Sequence, residues 1–210
     1  ENEGNVGFFH CWKKVGVPEN RIYFLGAKSN WWSVGENGPC GPDTEMFYDL
    51  TEKGLGDLTK EEYMKADQNQ KVLEIWNDVF MEYEKKDGKV VRTLEQKNVD
   101  TGAGLERLAV AIQNKNNIFD TDLFAPLLLE LDKSGSNLDQ KTKRIVADHI
   151  RTAVFIMNDG VTPSNKDQGY VLRRLLRRVL AVEYRLKLSP QIFENLIIAV
   201  INIYEDYYPE

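Results

Sequence analysis

The stretch Val99-Asp100-Thr101-Gly102-Ala103-Gly104-Leu105-Glu106-Arg107 decides how the chain is read. A β-like run (Val90, Val91, Thr93, Leu94, Val99) stops there at two glycines, and a helical run (Leu105, Leu108, Ala109, Ala111, Ile112) begins. Glycines one residue apart let backbone approach a ligand closely, and the free N–H groups of a helix start favour a negative one. Arg107, in the first helical turn, suits a phosphate or a base, and Asp100 suits a cation or an ammonium group. An ordinary strand-to-helix turn would carry the same glycines, so the turn alone leaves both readings open.

Upstream, Lys85-Lys86-Asp87-Gly88-Lys89 reads as a hairpin turn. It pairs the apolar, β-branched run Val72–Tyr83 with Val90–Leu94, and Val99-Asp100 extends the same antiparallel sheet. The first run is expected to be a strand buried on both faces. Asn77 within it must be hydrogen-bonded, either to a neighbouring strand or to a ligand, and lies in a strand next to that of Asp100. Antiparallel strands leading into G-x-G exclude a Rossmann unit, which needs parallel βαβ and a third glycine.

Nearer the start, Arg21–Leu25 reads as a short strand. Gly38-Pro39-Cys40-Gly41-Pro42-Asp43-Thr44-Glu45 reads as a rigid loop because of its Gly-Pro pairs, with Met46–Leu50 a strand leaving it. Trp31 and Trp32 are core packing, or one of them walls a pocket. Gly54–Asp67 is a surface loop or a short helix at Lys60–Lys65. The polar run Asn114–Asn117 looks like a linker, and the residues beyond it have helical period: Asp122–Leu131 stopped by Lys133-Ser134-Gly135, about Asp139 to Met157, a helix through Tyr170–Leu180, and Pro190–Tyr204. Between the second and third of these, Asn158–Gly169 holds turn formers and displays its polar side chains. Asp148 and His149 read as structural, since no second histidine lies near.

The net charge of −6 conceals an asymmetry: 16 basic against 25 acidic residues in 1–140, 11 against 4 in 141–187, and none against 4 thereafter. A basic block in an acidic protein points to a polyanion site. On the helix through 170–180, Arg173, Arg174, Arg177 and Arg178 share one arc, and Leu172, Leu175, Leu176, Val179 and Leu180 the opposite one. Four arginines without an interleaved acid favour phosphate contacts over a solvated face. Cys11 and Cys40 form no C-x-x-C pair, so neither a disulfide framework nor a zinc site is signalled. No stretch approaches the roughly 20 apolar residues that span a bilayer, and no leader pattern opens the chain, so a cytoplasmic protein is expected.

In series, several stretches resemble the alanyl-tRNA synthetase family of the class II aminoacyl-tRNA ligases. They are Asn30-Trp31-Trp32 with Gly-Pro-Cys-Gly-Pro, Glu74-Ile75-Trp76-Asn77-Asp78-Val79-Phe80-Met81, Val99–Arg107, Ala147-Asp148-His149-Ile150-Arg151, and Pro163-Ser164-Asn165 leading into Gly169-Tyr170-Val171-Leu172-Arg173-Arg174. The resemblance implies an α+β fold: an incomplete class II antiparallel catalytic core over residues 1–117, then an all-α helical domain over 118–210 that recognises the tRNA acceptor stem. It implies activation of L-alanine with ATP and Mg²⁺ to alanyl-adenylate, then transfer to the 3′ end of tRNA(Ala).

By carry-over, Asp100 grips the α-ammonium of alanine and Asn77 is the pocket amide, contacting amino acid and nucleotide. Ile75 and Trp76 lie beside the nucleotide, Trp32 walls the adenylate, Gly102 and Gly104 let adenosine lie on the backbone, and Arg107 meets ATP. Asn165 matches the asparagine at the acceptor-stem G·U pair, and Arg173, Arg174, Arg177 and Arg178 would hold phosphates. No catalytic acid–base residue, no resident metal and no membrane partner are expected. Motif 1, the motif 2 arginine, an ATP-site histidine, the editing domain and its zinc ligands have no counterpart here, and Asp43 stands where many relatives have a cysteine. The chain alone is therefore expected to be inactive or weak. The competing expectation is a truncated tRNA-binding paralogue without ligase activity.

Overall fold

The computed structural model describes residues 3–133 and 138–209, which cluster into two compact units divided between Asn116 and Asn117. The first unit is built on a four-stranded antiparallel sheet of order β1-β2-β3-β4: β1 Trp31–Ser33, β2 Gly38–Asp49, β3 Val72–Lys86 and β4 Lys89–Gly102. The Asp87-Gly88 turn joins β3 to β4 with φ values of 46° and 75°, the left-handed pair that a two-residue hairpin requires. Around the sheet stand α1 (Glu3–Lys14), α2 (Lys60–Gln68) and α3 (Leu105–Ile112). Thr59 and Glu62 cap α2 reciprocally, which turns the expected short helix into a defined one.

Three local expectations are corrected. The Gly-Pro stretch is not a loop but the first half of β2, an interior strand. Pro39 and Pro42 are tolerated because the ladder shifts register between Cys40 and Asp43, and because β1 beside them is three residues long. Gly41 makes this possible: a Cβ there would lie 1.7 Å from the Phe80 carbonyl oxygen, so only glycine lets β2 run against β3. The segment 22–25 is not a strand. Its groups are tied to loops instead, the Leu25 N–H to the Asn30 side chain (3.0 Å) and the Tyr23 hydroxyl to the Leu58 carbonyl (3.1 Å). Finally, β3 is half-buried along its length, with Val79 alone fully enclosed, because β4 on one side is almost wholly exposed.

The second unit is helical: α4 (Ala125–Lys133), α5 (Gln140–Asn158), α6 (Asp167–Leu186) and α7 (Gln191–Tyr204). Its core joins Phe124, Leu127, Leu131, Val146, Ile150, Val179, Leu196 and Val200. Helix α4 starts three residues later than its periodicity suggests. Pro126 lacks the N–H that a helix begun at Asp122 would need, and a 3₁₀ turn over Ile118–Asp120, capped by Asn117, precedes it. The expected stop at Ser134-Gly135 lies outside the described residues. Asp139 caps α5 by accepting from the Thr142 N–H. On α6, Leu172 and Val179 are buried as expected, but Leu180 is 55% exposed and does not belong to the packing face. No described helix is long and apolar enough to cross a membrane.

Candidate adenylate face and arginine groove

Side chains of a strand alternate faces, so the register of the first unit sorts its polar residues. One face carries two rungs across three strands: Asp43, Val79 and Asp100 oppose one another in the first, Glu45, Asn77 and Gly102 in the next. Asn77 and Asp100 are therefore diagonal neighbours on one face, at the roughly 7–8 Å typical of such pairs. Beyond them the ladder skips a residue: Met46 pairs with Trp76 and Phe47 with Glu74, which leaves Ile75 as the extra residue of a β-bulge. That single insertion turns Glu74 onto the Asn77 side. Its carboxylate accepts from the Asn77 amide (3.2 Å) and from Arg107 (2.8 Å), which also donates to the Glu74 carbonyl (3.1 Å). The turn at Gly102–Gly104 thus delivers Arg107 across β3 to the same face.

Asp100 is exposed and makes no hydrogen bond or ion pair among the described residues, so its carboxylate is available to a cationic ligand. Neither Gly102 nor Gly104 has a left-handed φ, and a Cβ at either would meet only ordinary contacts: 3.7 Å from Asn77 Oδ1, and 3.6 Å from the Arg107 stem. The fold itself does not demand glycine there.

Two expected residues lie elsewhere. Trp76 points to the opposite face, where its indole donates to the Thr101 hydroxyl (2.7 Å). Trp32, paired with Gly41 on β1, sits on the far edge strand, three strand spacings or roughly 14 Å from β4.

Three carboxylates escape the sequence reading. Asp43 is 8% exposed and its Oδ1 has no hydrogen-bond partner; burial, reinforced by the charge of Glu74, raises its pKa to about 6. Burial, with Glu74, Asp43 and Asp67 nearby, pushes Glu45 to about 7 against the pull of Arg107. Glu74 is visible within its motif but without a role, because only the bulge at Ile75 turns it to this side. A face so rich in carboxylate favours cations. Among the described residues no three carboxylate, histidine or cysteine groups converge as a metal cage. A Mg²⁺ that arrives with phosphates needs only one or two protein carboxylates, which Glu45 and Glu74 could supply.

In the second unit the segment before α6 is folded back on its first turn. The Ser164 N–H donates to the Gly169 carbonyl (3.0 Å), and the Ser164 hydroxyl donates to the Lys166 carbonyl (2.9 Å). A Cβ on Gly169 would lie 2.3 Å from Ser164 Oγ and 2.6 Å from the Thr162 carbonyl, so glycine is required for this closure. Asn165 thereby lines a groove of about 480 Å³ together with Tyr170, Arg173, Arg174, Arg177 and Arg178. All four arginines face it, as helical spacing predicts. Arg173 donates to Asn165 Oδ1, and Arg178 lies 3.4 Å from His149 Nε2, whose Nδ1 is 3.0 Å from Asp148. His149 is buried and belongs to this hydrogen-bonded chain.

An antiparallel sheet running through a glycine turn into an arginine-bearing helix, in a chain that also holds an arginine-lined helical unit, fits the class II aminoacyl-tRNA synthetases. The chain belongs to that class: the family model of tRNA synthetases class II (A) matches residues 1–210. Among individual relatives, it is 42% identical to an alanine–tRNA ligase of Bacillus velezensis over 204 residues, 94% of this chain and 23% of that protein. It is 41% identical to that of Bacillus subtilis with the same coverage, and 38% identical over 213 residues to that of Borrelia hermsii, covering 96% of this chain and 35% of the relative. The chain therefore spans about a quarter to a third of the length of these relatives.

Proposed function

We propose that this chain forms the amino-acid side of the adenylate site, and the acceptor-stem contact, of an alanine–tRNA ligase acting in the cytoplasm. The observation that supports it best is the placement of Asn77 and Asp100 on one sheet face beside Gly102, with Arg107 brought across to Glu74. Asp100 takes the α-ammonium of L-alanine, Asn77 the polar end of the same ligand, and Arg107 the phosphates of ATP. Adenosine lies along Gly102 and Gly104 with Ile75 at the bulge beside it, while Trp76 supports the strand from the opposite face and Trp32 stands at the far edge of the sheet.

The alanine carboxylate attacks the α-phosphorus in line, pyrophosphate leaves, and no protein acid or base is needed; Mg²⁺ brought with ATP would be held by Glu45 and Glu74 and would neutralise phosphate charge. Positioning and charge neutralisation carry the step. The alanyl group then passes to tRNA(Ala). Asn165 reads the acceptor-stem G·U pair at its base edges, and the arginine groove positions the stem through its phosphates. Residues 1–117 are the aminoacylation part and 118–210 the tRNA-recognition part.

The test is alanine-dependent ATP–pyrophosphate exchange by a full-length protein that contains this chain. Asp100→Asn is expected to lower kcat/KM for alanine by about 10- to 150-fold, the range for a lost charged hydrogen bond. Exchange unchanged by this substitution would refute the ammonium role. A full-length protein that binds the acceptor stem but shows no exchange would instead be a tRNA-binding paralogue. The isolated chain is expected to exchange weakly or not at all.

A further inference from the structure

Arg178 stands roughly 100° round α6 from Arg177, on the side of the groove where α6 meets α5, and there it reaches His149. Two contacts fix the protonation of that ring. A carboxylate only accepts, so the nitrogen 3.0 Å from Asp148, Nδ1, carries the proton. A guanidinium only donates, so Nε2, 3.4 Å from Arg178 Nη1, is bare and accepts. The opposite tautomer would set a lone pair against the Asp148 carboxylate and two donors against each other. A doubly protonated ring would hold a second positive charge against Arg178. His149 is 8% exposed, whereas Asp148 and Arg178 both reach solvent, so the imidazole is the buried link of a relay that ends on the groove wall. Packing alone does not call for such a link: apart from Thr142, the other buried residues of α5 are Val146, Ala147, Ile150 and Ala153, all apolar.

We propose that His149 is a positioning residue for RNA binding in the groove. Its Nε2 takes one donor of Arg178 and holds the guanidinium at the α5 side, so that the remaining donors meet a phosphate of a bound stem without first losing the freedom of the side chain. The proposal rests on the acceptor-stem reading above. An arginine ordered before binding spares the cost of immobilising a rotamer-rich side chain, a factor of about 2 to 10 in affinity. Arg177 has no such acceptor among the described residues and contributes through its charge. Because phosphate contacts position a nucleic acid and carry no sequence information, the relay serves every stem alike and leaves base discrimination to Asn165.

The experiment uses the full chain and two hairpin RNAs that copy an acceptor stem, one with a G·U pair and one with G·C at that place, with affinities measured over a range of salt. His149→Met keeps most of the bulk of the ring and removes the acceptor, and His149→Gln returns an amide oxygen near the place of Nε2. His149→Met is expected to weaken both RNAs alike by about 2- to 10-fold, with the salt slope of the wild type, and His149→Gln to recover most of that loss. Arg178→Gln should lower the slope by about one, and His149→Met added to it should cost nothing further. Independently of RNA, proton–nitrogen correlation spectra should show His149 with Nδ1 protonated and Nε2 bare, and Arg178→Gln should shift the Nε2 resonance. His10 is the only other histidine, which makes the assignment direct.

A proton on Nε2, or an Nε2 resonance indifferent to Arg178→Gln, would overturn the tether. These spectra need only the wild type and a surface variant, so they decide the matter even where a core substitution unfolds α5. Unchanged RNA affinity in His149→Met, a loss that persists in the Arg178→Gln background, or a loss that His149→Gln does not recover would each overturn it too, since each makes His149 a packing residue. In all these cases RNA binding by the wild type leaves the acceptor-stem reading standing. A wild-type chain that binds neither hairpin would remove that reading and the role of His149 together.

Discussion

Replacing Asp43 by asparagine should stabilise the sheet unit at neutral pH and do much less in acid. Asp43 is 8% exposed, its Oδ1 has no partner, and burial lifts its pKa from an ordinary 3.8 to about 6. A carboxyl raised on folding binds more protons in the folded state than in the unfolded state between these two values. Stability therefore falls as pH rises from about 4 to about 7, and the loss is complete above that. The shift of roughly two pKa units corresponds to about 3 kcal/mol by neutral pH. Asparagine keeps the shape and does not ionise. The gain from Asp43→Asn at about pH 7.5 should then exceed the gain at about pH 4.5 by about 2 kcal/mol, since much of the proton uptake separates these conditions.

Urea unfolding followed by tryptophan fluorescence isolates the right unit, because all four tryptophans (Trp12, Trp31, Trp32 and Trp76) lie before Asn116. A gain equal at both pH values would refute the reasoning, since the carboxyl would then ionise as it does in the unfolded chain. Destabilisation at neutral pH would show that the ionised form is the one the fold supports.

Two further substitutions probe the close approaches that build the two sites. Gly41→Ala places a methyl 1.7 Å from the Phe80 carbonyl, which must part β2 from β3. A loss of about 3 kcal/mol or more in the same fluorescence assay is expected, with helical content of the second unit retained by circular dichroism. Gly169→Ala collides with the Thr162 carbonyl and Ser164 and so displaces Asn165. It should erase the G·U preference while leaving the salt slope of RNA binding unchanged, and a retained preference would mean that the fold-back does not place Asn165.

Much of this was legible in the chain because it is local. The Asp87-Gly88 hairpin, the start of α5 near Asp139 and the arginine arc of α6 follow from turn chemistry and helical period, which need no distant partner. Asn77 and Asp100 were readable as residues of adjacent strands, since the hairpin between those strands is itself local. The Gly-Pro stretch misled because proline rules describe what a strand loses, not whether a short neighbour and a register shift can absorb the loss. Arg21–Leu25 misled in the opposite sense, being a β-like composition to which the sheet offers no partner.

The sequence by itself determined which residue types stand near which turn: an acid before two glycines, an arginine after them, an asparagine ahead of an arginine ridge. Only the tertiary structure decided which side of the sheet each one faces. One extra residue in a strand inverts every side chain beyond it, so the bulge at Ile75 alone brings Glu74 to Asn77 and Arg107. The buried carboxyls of Asp43 and Glu45 are likewise a product of packing, since desolvation depends on what closes over a group and not on its neighbours in the chain. Which partners Arg173 and Arg178 meet was beyond the sequence for the same reason: helical period sets a shared face, and contact alone sets a partner.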